Sequence, residues 1–250
     1  MQHTNPQKLA RIAGWFFIAT IVTSIPAALL YGPVLHHHSY IVSGGSDTRI
    51  AVGAFLEILL VIANIGTAVV LFPIIKRHNE SMSLGYVASR TLESTVIVIG
   101  IVSVLAVIKL RQDLAGAPGA DKASLILTGR QLVTFHNWTF LLGPSFCAAF
   151  GNGILLGTVM YRSGLVPRRL ALLGVIGGPL AFVAATGVLF NVYDQNSAAQ
   201  SVLTIPEILW EVSLGVYLVV KGFSAGAAAN IGASCRHVPA ALAPTIRPPS

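Results

Sequence analysis

Long apolar runs, broken by short stretches rich in arginine, lysine and glycine, set the pattern of this chain. Six of them, over residues 12–31, 50–75, 84–108, 132–161, 170–192 and 205–223, are long enough to cross a membrane. A hydrocarbon core ~30 Å thick needs ~20 helical residues. None of the runs alternates in the ~10-residue segments of a membrane β-barrel. Backbone groups in lipid must bond within their own segment, so each run predicts a helix. The expected fold is an all-α integral membrane protein, a bundle of six transmembrane helices in one domain over residues 1–223.

Lys8 and Arg11 precede the first run as they would in a signal peptide. The run is too long for such a segment and no clear small-residue cleavage site follows, so it reads as a retained first span. The fourth run carries Pro144 near its middle, with Gly143, Gly151 and Gly153 around it. Proline removes a backbone donor there, which predicts a kink or a strong tilt. The outer loop 112–129 gives no firm structural signal. Residues 224–250, rich in Ala, Gly and Pro and without periodicity, predict a disordered cytoplasmic tail.

Composition narrows the class. Of the 250 residues 54% are hydrophobic and only 10% are charged, against roughly 25% charged in a soluble domain. The net charge of +7 sits in the turns between spans, with no basic face or aromatic platform, so nucleic acid is excluded as a partner. Ten Lys and Arg residues lie at the N-terminus, in the second and fourth turns and on the C-terminal side; five lie on the opposite side. That asymmetry predicts a multi-pass protein of the cell membrane with both termini cytoplasmic. Cys147 falls within a span and Cys235 in the tail, and no cysteine–histidine ligand spacing occurs.

The chemistry, if any, lies in charges within the spans. Glu57, Arg90, Glu93, His136, Glu207 and Glu211 all fall inside apolar runs, where each charge costs about 2.5–3.5 kcal/mol and faces the bundle interior. Glu57 and Asn64 share a helix face, as do Glu207 and Glu211, and Arg90 and Glu93 are spaced to pair along one helix. Glu57, Asn64, Arg90, Glu93, His136, Glu207 and Glu211 therefore form one predicted intramembrane polar cluster, in the outer half of the bilayer with Arg90 at its inner edge. Structural readings stand beside this: an ion pair that only fixes packing, Glu207 as the acidic start of its helix after Pro206, His136 as a satisfied interior histidine.

Sharper functions lack their residues. Only His136 lies within the spans, so a bis-histidine haem has no ligands, and no mid-span lysine could carry retinal. No GxSxG, HExxH or phosphate-loop motif occurs. The run His36-His37-His38 reads as a solvated outer loop. A metal held by Glu57, Glu93, His136 and Glu211 stays open on residue type alone. The segments Glu57-Ile58-Leu59-Leu60 and Glu207-Ile208-Leu209-Trp210 resemble each other, either by chance or as the mark of a duplicated helical hairpin.

Five stretches carry a wider likeness: KLARIAGWFFIATIV, ASRTLESTVIVIG, FHNWTFLLGPSF, YRSGLVPRRLALLGVIGGPL and PEILWEVSLGVYLVVKGF. In this order they resemble a bacterial membrane family called domain of unknown function 4386, over roughly residues 8 to 223. The resemblance implies a compact six-helix membrane protein of no established activity. It also implies that Glu57, Arg90, Glu93, His136, Trp138, Pro206, Glu207, Trp210 and Glu211 match the family's motifs. The sequence is read first as an accessory or sensory membrane protein rather than an enzyme. A small proton-coupled transporter and an intramembrane lipid-acting enzyme are the alternatives. The expected partners are the lipid bilayer and either a second copy of the chain or another membrane protein. No cofactor is named by any motif.

Overall fold

In a computed structural model, residues 5–36, 40, 46–114, 119–224 and 226 are described. They form six long helices, with no strand among the described residues: α1 (Pro6–His36), α2 (Asp47–Ile75), α3 (Glu80–Leu114), α4 from Gly119 to Ser163, α5 (Arg168–Leu189) and α6 (Ala198–Val220). All six are long and apolar enough to span a membrane. The chain is a multi-pass membrane protein, as the apolar runs require.

Helix ends follow local chemistry. Ser46 and Ser197 accept from the backbone N–H groups of Arg49 and Gln200 and so cap α2 and α6. Gly164, with φ 66°, closes α4 in the left-handed region that costs a residue without a Cβ little. Interior prolines recur in five of the helices. Threonine and serine hydroxyls bond back to carbonyls one turn earlier, as Thr20 does to Phe17 at 2.7 Å, so these hydroxyls are not stranded in an apolar setting.

The helices form a ring in chain order. Each packs on its sequence neighbour, and α6 closes the ring against α1. Because six spans run alternately up and down, the described ends of the chain lie together. There the Gln7 side chain donates to the Phe223 carbonyl (2.8 Å) and accepts from the Phe223 N–H (3.0 Å). This is called the terminal end below, and the other the distal end. Gly14 on α1 lies against Gly215 and Val219 of α6 so closely that any Cβ would meet their backbone under 3 Å away. The terminal half is filled by a core that includes Phe17, Leu71, Tyr86, Met160, Trp210 and Leu214, all inaccessible. A second core, around Tyr31, Ile50, Ile97 and Val104, packs α1, α2 and α3 in the distal half. At the distal rim Asp47 pairs with Arg111, whose guanidinium lies over the Tyr40 ring at 5.0 Å.

Two features depart from the sequence expectation. The helices outrun the apolar segments: α3 continues to Leu114 and α4 begins at Gly119, so the described part of loop 112–129 is helical. Hydropathy ends at the membrane boundary, but helix formation does not; Lys109 and Asp113, four apart and 2.8 Å from each other, support the extension. Around Pro144 the fourth helix changes type. Its α-helical part Gly119–Phe140 passes into π-helical turns over Leu141–Cys147 and Ala149–Leu156 before α-helix resumes at Gly157–Ser163. Wide turns of this kind accommodate the donor that proline lacks. The side chains of His36–His38, Cys235 and all but Ser224 and Gly226 of the tail lie outside the described residues.

Candidate functional site: an intramembrane polar cavity

Glu57, Asn64, Arg90, Glu93, His136, Glu207 and Glu211 all line one cavity of about 560 Å³ in the distal half of the ring. Four helices deliver them. Glu57 and Asn64 point inward from α2 because they are seven residues apart, two turns of one face. Arg90 and Glu93 do the same from α3, His136 from α4, and Glu207 and Glu211 from α6.

The floor of the cavity is an ion pair. Arg90 Nη1 lies 2.7 Å from Glu93 Oε2, and both side chains are almost wholly buried, at 2% and 6% exposure. Asn64 Nδ2 donates to the other Glu93 oxygen at 3.1 Å. Arg90 Nε reaches Thr67 Oγ1 at 3.4 Å, and the Tyr86 hydroxyl donates to the same Thr67 oxygen at 3.0 Å. The guanidinium also stacks over the Phe17 ring at 5.9 Å. Arg90 thus closes the cavity against the apolar core of the terminal half.

The walls carry the other acids. The Tyr31 hydroxyl donates to Glu57 Oε2 at 2.9 Å, and the Tyr31 ring meets His136 edge-on with centroids 5.6 Å apart. Asn152, in the π-helical part of α4, donates to Glu211. Its carbonyl accepts from the Trp210 indole at 3.1 Å, which locks α6 to the widened turn. Glu207 lies between α4 and α5, beside Gly153 and Gly178, at a point where a Cβ on Gly153 would strike both Gly178 and the carboxylate. Its helix starts at Ala198, nine residues earlier, so Glu207 is buried well inside α6. The reading of Glu207 as a headgroup-level acid at a helix start is corrected here: Pro206 is an interior proline, and the capped N-terminus lies further back in a more polar stretch.

Several buried polar atoms on this wall have no hydrogen-bond partner in the protein: both carboxylate oxygens of Glu207, Arg90 Nη2, His136 Nδ1 and Asn152 Oδ1. Buried polar atoms are nearly always satisfied, and an unsatisfied one costs about 1–3 kcal/mol. Four of these atoms, on Glu207, Arg90 and His136, belong to residues that line the cavity. Charge points the same way. Four carboxylates face one guanidinium around the cavity. With His136 counted as neutral, this is a formal excess of three negative charges, the kind of imbalance that protons or a cation offset when charges are taken out of water.

Tyr31 and Asn152 belong to the site but were not singled out from sequence. Tyr31 sits at the end of its apolar run, where tyrosine ordinarily marks the interface. Asn152 is an uncharged amide between two glycines. A mid-span amide in the longest span was the available signal. Trp138, by contrast, is 43% exposed and faces away from the cavity. Among the described residues no three His, Cys, Asp or Glu side chains come together closely enough to hold a metal ion, so Glu57, Glu93, His136 and Glu211 share a cavity without forming a ligand set.

A ring of six spans around an acid-lined cavity defines a polytopic α-helical membrane protein with an intramembrane polar cavity. Residues 12–222 match the family model for a domain of unknown function (DUF4386), and the chain belongs to that family. No curated protein and no solved structure matches it significantly.

Proposed function

We propose that the protein is a small proton-coupled carrier whose intramembrane cavity binds a positively charged ligand. The observation that carries this reading is the charge of the cavity taken with its unsatisfied atoms: both carboxylate oxygens of Glu207 are buried and have no hydrogen-bond partner, in a wall with four acids and one arginine. A structural polar network would close on itself. This one leaves polar atoms of Glu207, Arg90 and His136 unpaired among the residues that line the cavity. Its size falls within the ~300–1,000 Å³ of small-molecule sites.

The distribution of Lys and Arg supports a cytoplasmic terminal end in the cell membrane. The cavity would then face outward, with the Arg90–Glu93 pair and the Phe17, Tyr86 and Trp210 core closing it toward the cytoplasm. Carboxylates that hold protons when empty release them when a cation binds, which couples the two.

The test is ligand stabilisation of the purified full chain in nanodiscs of phosphatidylcholine. A ligand that binds only the folded state raises the thermal midpoint with concentration. Tetramethylammonium, tetraethylammonium and tetraphenylphosphonium are compared with acetate and decanoate at pH 5 and pH 8. At least one cation should raise the midpoint, more at pH 8 than at pH 5, and neither anion should do so. Stabilisation by an anion, or by nothing in the panel, would overturn the reading. Uptake of radiolabelled tetraethylammonium into proteoliposomes against an imposed pH gradient then separates a carrier from a sensor that merely binds.

A further inference from the structure

The cavity is not walled equally on all sides. In the terminal half α1 and α6 touch through Gly14, Phe17 and Gly215. Towards the distal end the same helices flank the cavity instead, α1 through Thr20, Ile21 and Ser24, α6 through Thr204, Ile208 and Glu211. Some of the lining side chains on these two helices are also exposed on the surface of the ring: Leu29 is 68% exposed and Ile208 52%. Both lie in helices that are long and apolar enough to span the membrane, and both line the cavity, which makes the α1–α6 flank its candidate mouth toward the acyl chains.

We infer that the cavity takes an amphiphilic organic cation, an amine or ammonium head on an apolar body, which enters from the bilayer between α1 and α6. This names the ligand class of the carrier proposed above and rests on that reading. Two chemistries meet along the path. Next to the seam the wall is aliphatic, with Leu29 and Ile208, which suits an alkyl or aryl body. Behind it stand Glu207, with two unpartnered carboxylate oxygens, and Glu211 on the same face of α6, which suit a cationic head. Tyr31 and Phe140 add aromatic surface to the lining, a favourable neighbour for an ammonium group. A small hydrophilic cation gains nothing from the seam and must leave its hydration shell for a largely apolar wall. A zwitterionic phospholipid head would bring a phosphate toward acids whose only guanidinium is already paired with Glu93.

The experiment uses the full chain in phosphatidylcholine nanodiscs, with binding of tetraphenylphosphonium and of tetramethylammonium read from the thermal midpoint over a concentration series. The lipophilic cation should bind at least tenfold more tightly. The variants Ile208→Trp and Leu29→Trp, which put bulk into the seam on side chains that are more than half exposed, should each slow association of tetraphenylphosphonium severalfold. Glu207→Gln should weaken its equilibrium binding at least tenfold. Equal binding of the two cations, or seam variants without effect on the association rate, would overturn membrane entry while leaving a cation-binding cavity in place. Loss of the tetraphenylphosphonium response when phosphatidylethanolamine replaces phosphatidylcholine would identify a lipid headgroup as the occupant and overturn the free-amphiphile assignment. Binding of neither cation would overturn this inference together with the reading beneath it. Glu207→Gln is scored only if its midpoint without ligand remains measurable; Glu211→Gln, on the same helix face, makes the same test of the head site.

Discussion

Arg90 and Glu93 meet at 2.7 Å one turn apart on α3, where both side chains are almost wholly buried. Removing one member of such a pair leaves an uncompensated charge and costs about 3–5 kcal/mol, whereas replacing both by neutral groups costs less than the sum. Arg90→Gln and Glu93→Gln should each lower the thermal midpoint in detergent strongly, and the double variant should recover part of the loss. A double variant as damaged as the two singles added together would show that the residues do not act as a pair.

Tyr31 offers a milder probe of the same chamber. Its hydroxyl is the donor to Glu57, and hydrogen bonds to charged groups contribute about 1.5–3 kcal/mol. Tyr31→Phe keeps the ring against His136 and removes only that donor. The expected result is a loss of stability in this range, with the Glu57→Gln background abolishing most of the difference between Tyr and Phe. An equal cost in both backgrounds would mean that the hydroxyl serves some other partner.

Gly153 tests the packing that holds Glu207 in place. A Cβ there would run into Gly178 and the Glu207 carboxylate, and overpacking of this kind costs about 1–3 kcal/mol where backbone must move. Gly153→Ala should lower the thermal midpoint. Gly32→Ala should not, because a Cβ there meets nothing within 4 Å. If the two changes cost the same, α4 and α5 are not in close contact at this point.

Topology can be read with reporter fusions. Six spans with cytoplasmic ends predict that fusions near Asn79, near Ser163 and after Ser224 report the cytoplasm, while those near Gly44, Gly119 and Gln195 report the outside. A cytoplasmic signal at Gly119 would break the order of crossings.

Much of this was legible because it depends on cost. Charges in apolar runs are expensive, so the sequence alone assigns Glu57, Arg90, Glu93, His136, Glu207 and Glu211 to one interior, and spacing pairs Arg90 with Glu93. Glu207 falls in the same predicted cluster, and the rival reading of it as a helix start comes from the proline directly before it; here α6 has already run through residues 198–204, ahead of the apolar run. What escaped has physical reasons too. Tyr31 and Asn152 carry no charge, so burying them raised no alarm. The proline at 144 announced a disturbance in α4, but not that it would take the form of π-helical turns that present Asn152 to Glu211 and Trp210. Hydropathy likewise could not see helices that continue past the lipid, as α3 does to Leu114.

The closure of the ring at Gln7 and Phe223 has a consequence for how the chain is tethered. Five of the six junctions between neighbouring helices are backed by a connecting segment of polypeptide; the one between α6 and α1 is held by side-chain and backbone contacts alone, at the terminal end. Helix α1 is therefore tethered by polypeptide on one flank only, to α2, as α6 is to α5, and its other flank depends on the close Gly14 contact. A circular permutant that joins residue 224 to residue 5 and opens the chain in the turn at His78 would move the untethered junction from α6–α1 to α2–α3, and would tie α1 to α6 at the terminal end below the gap beside Leu29 and Ile208.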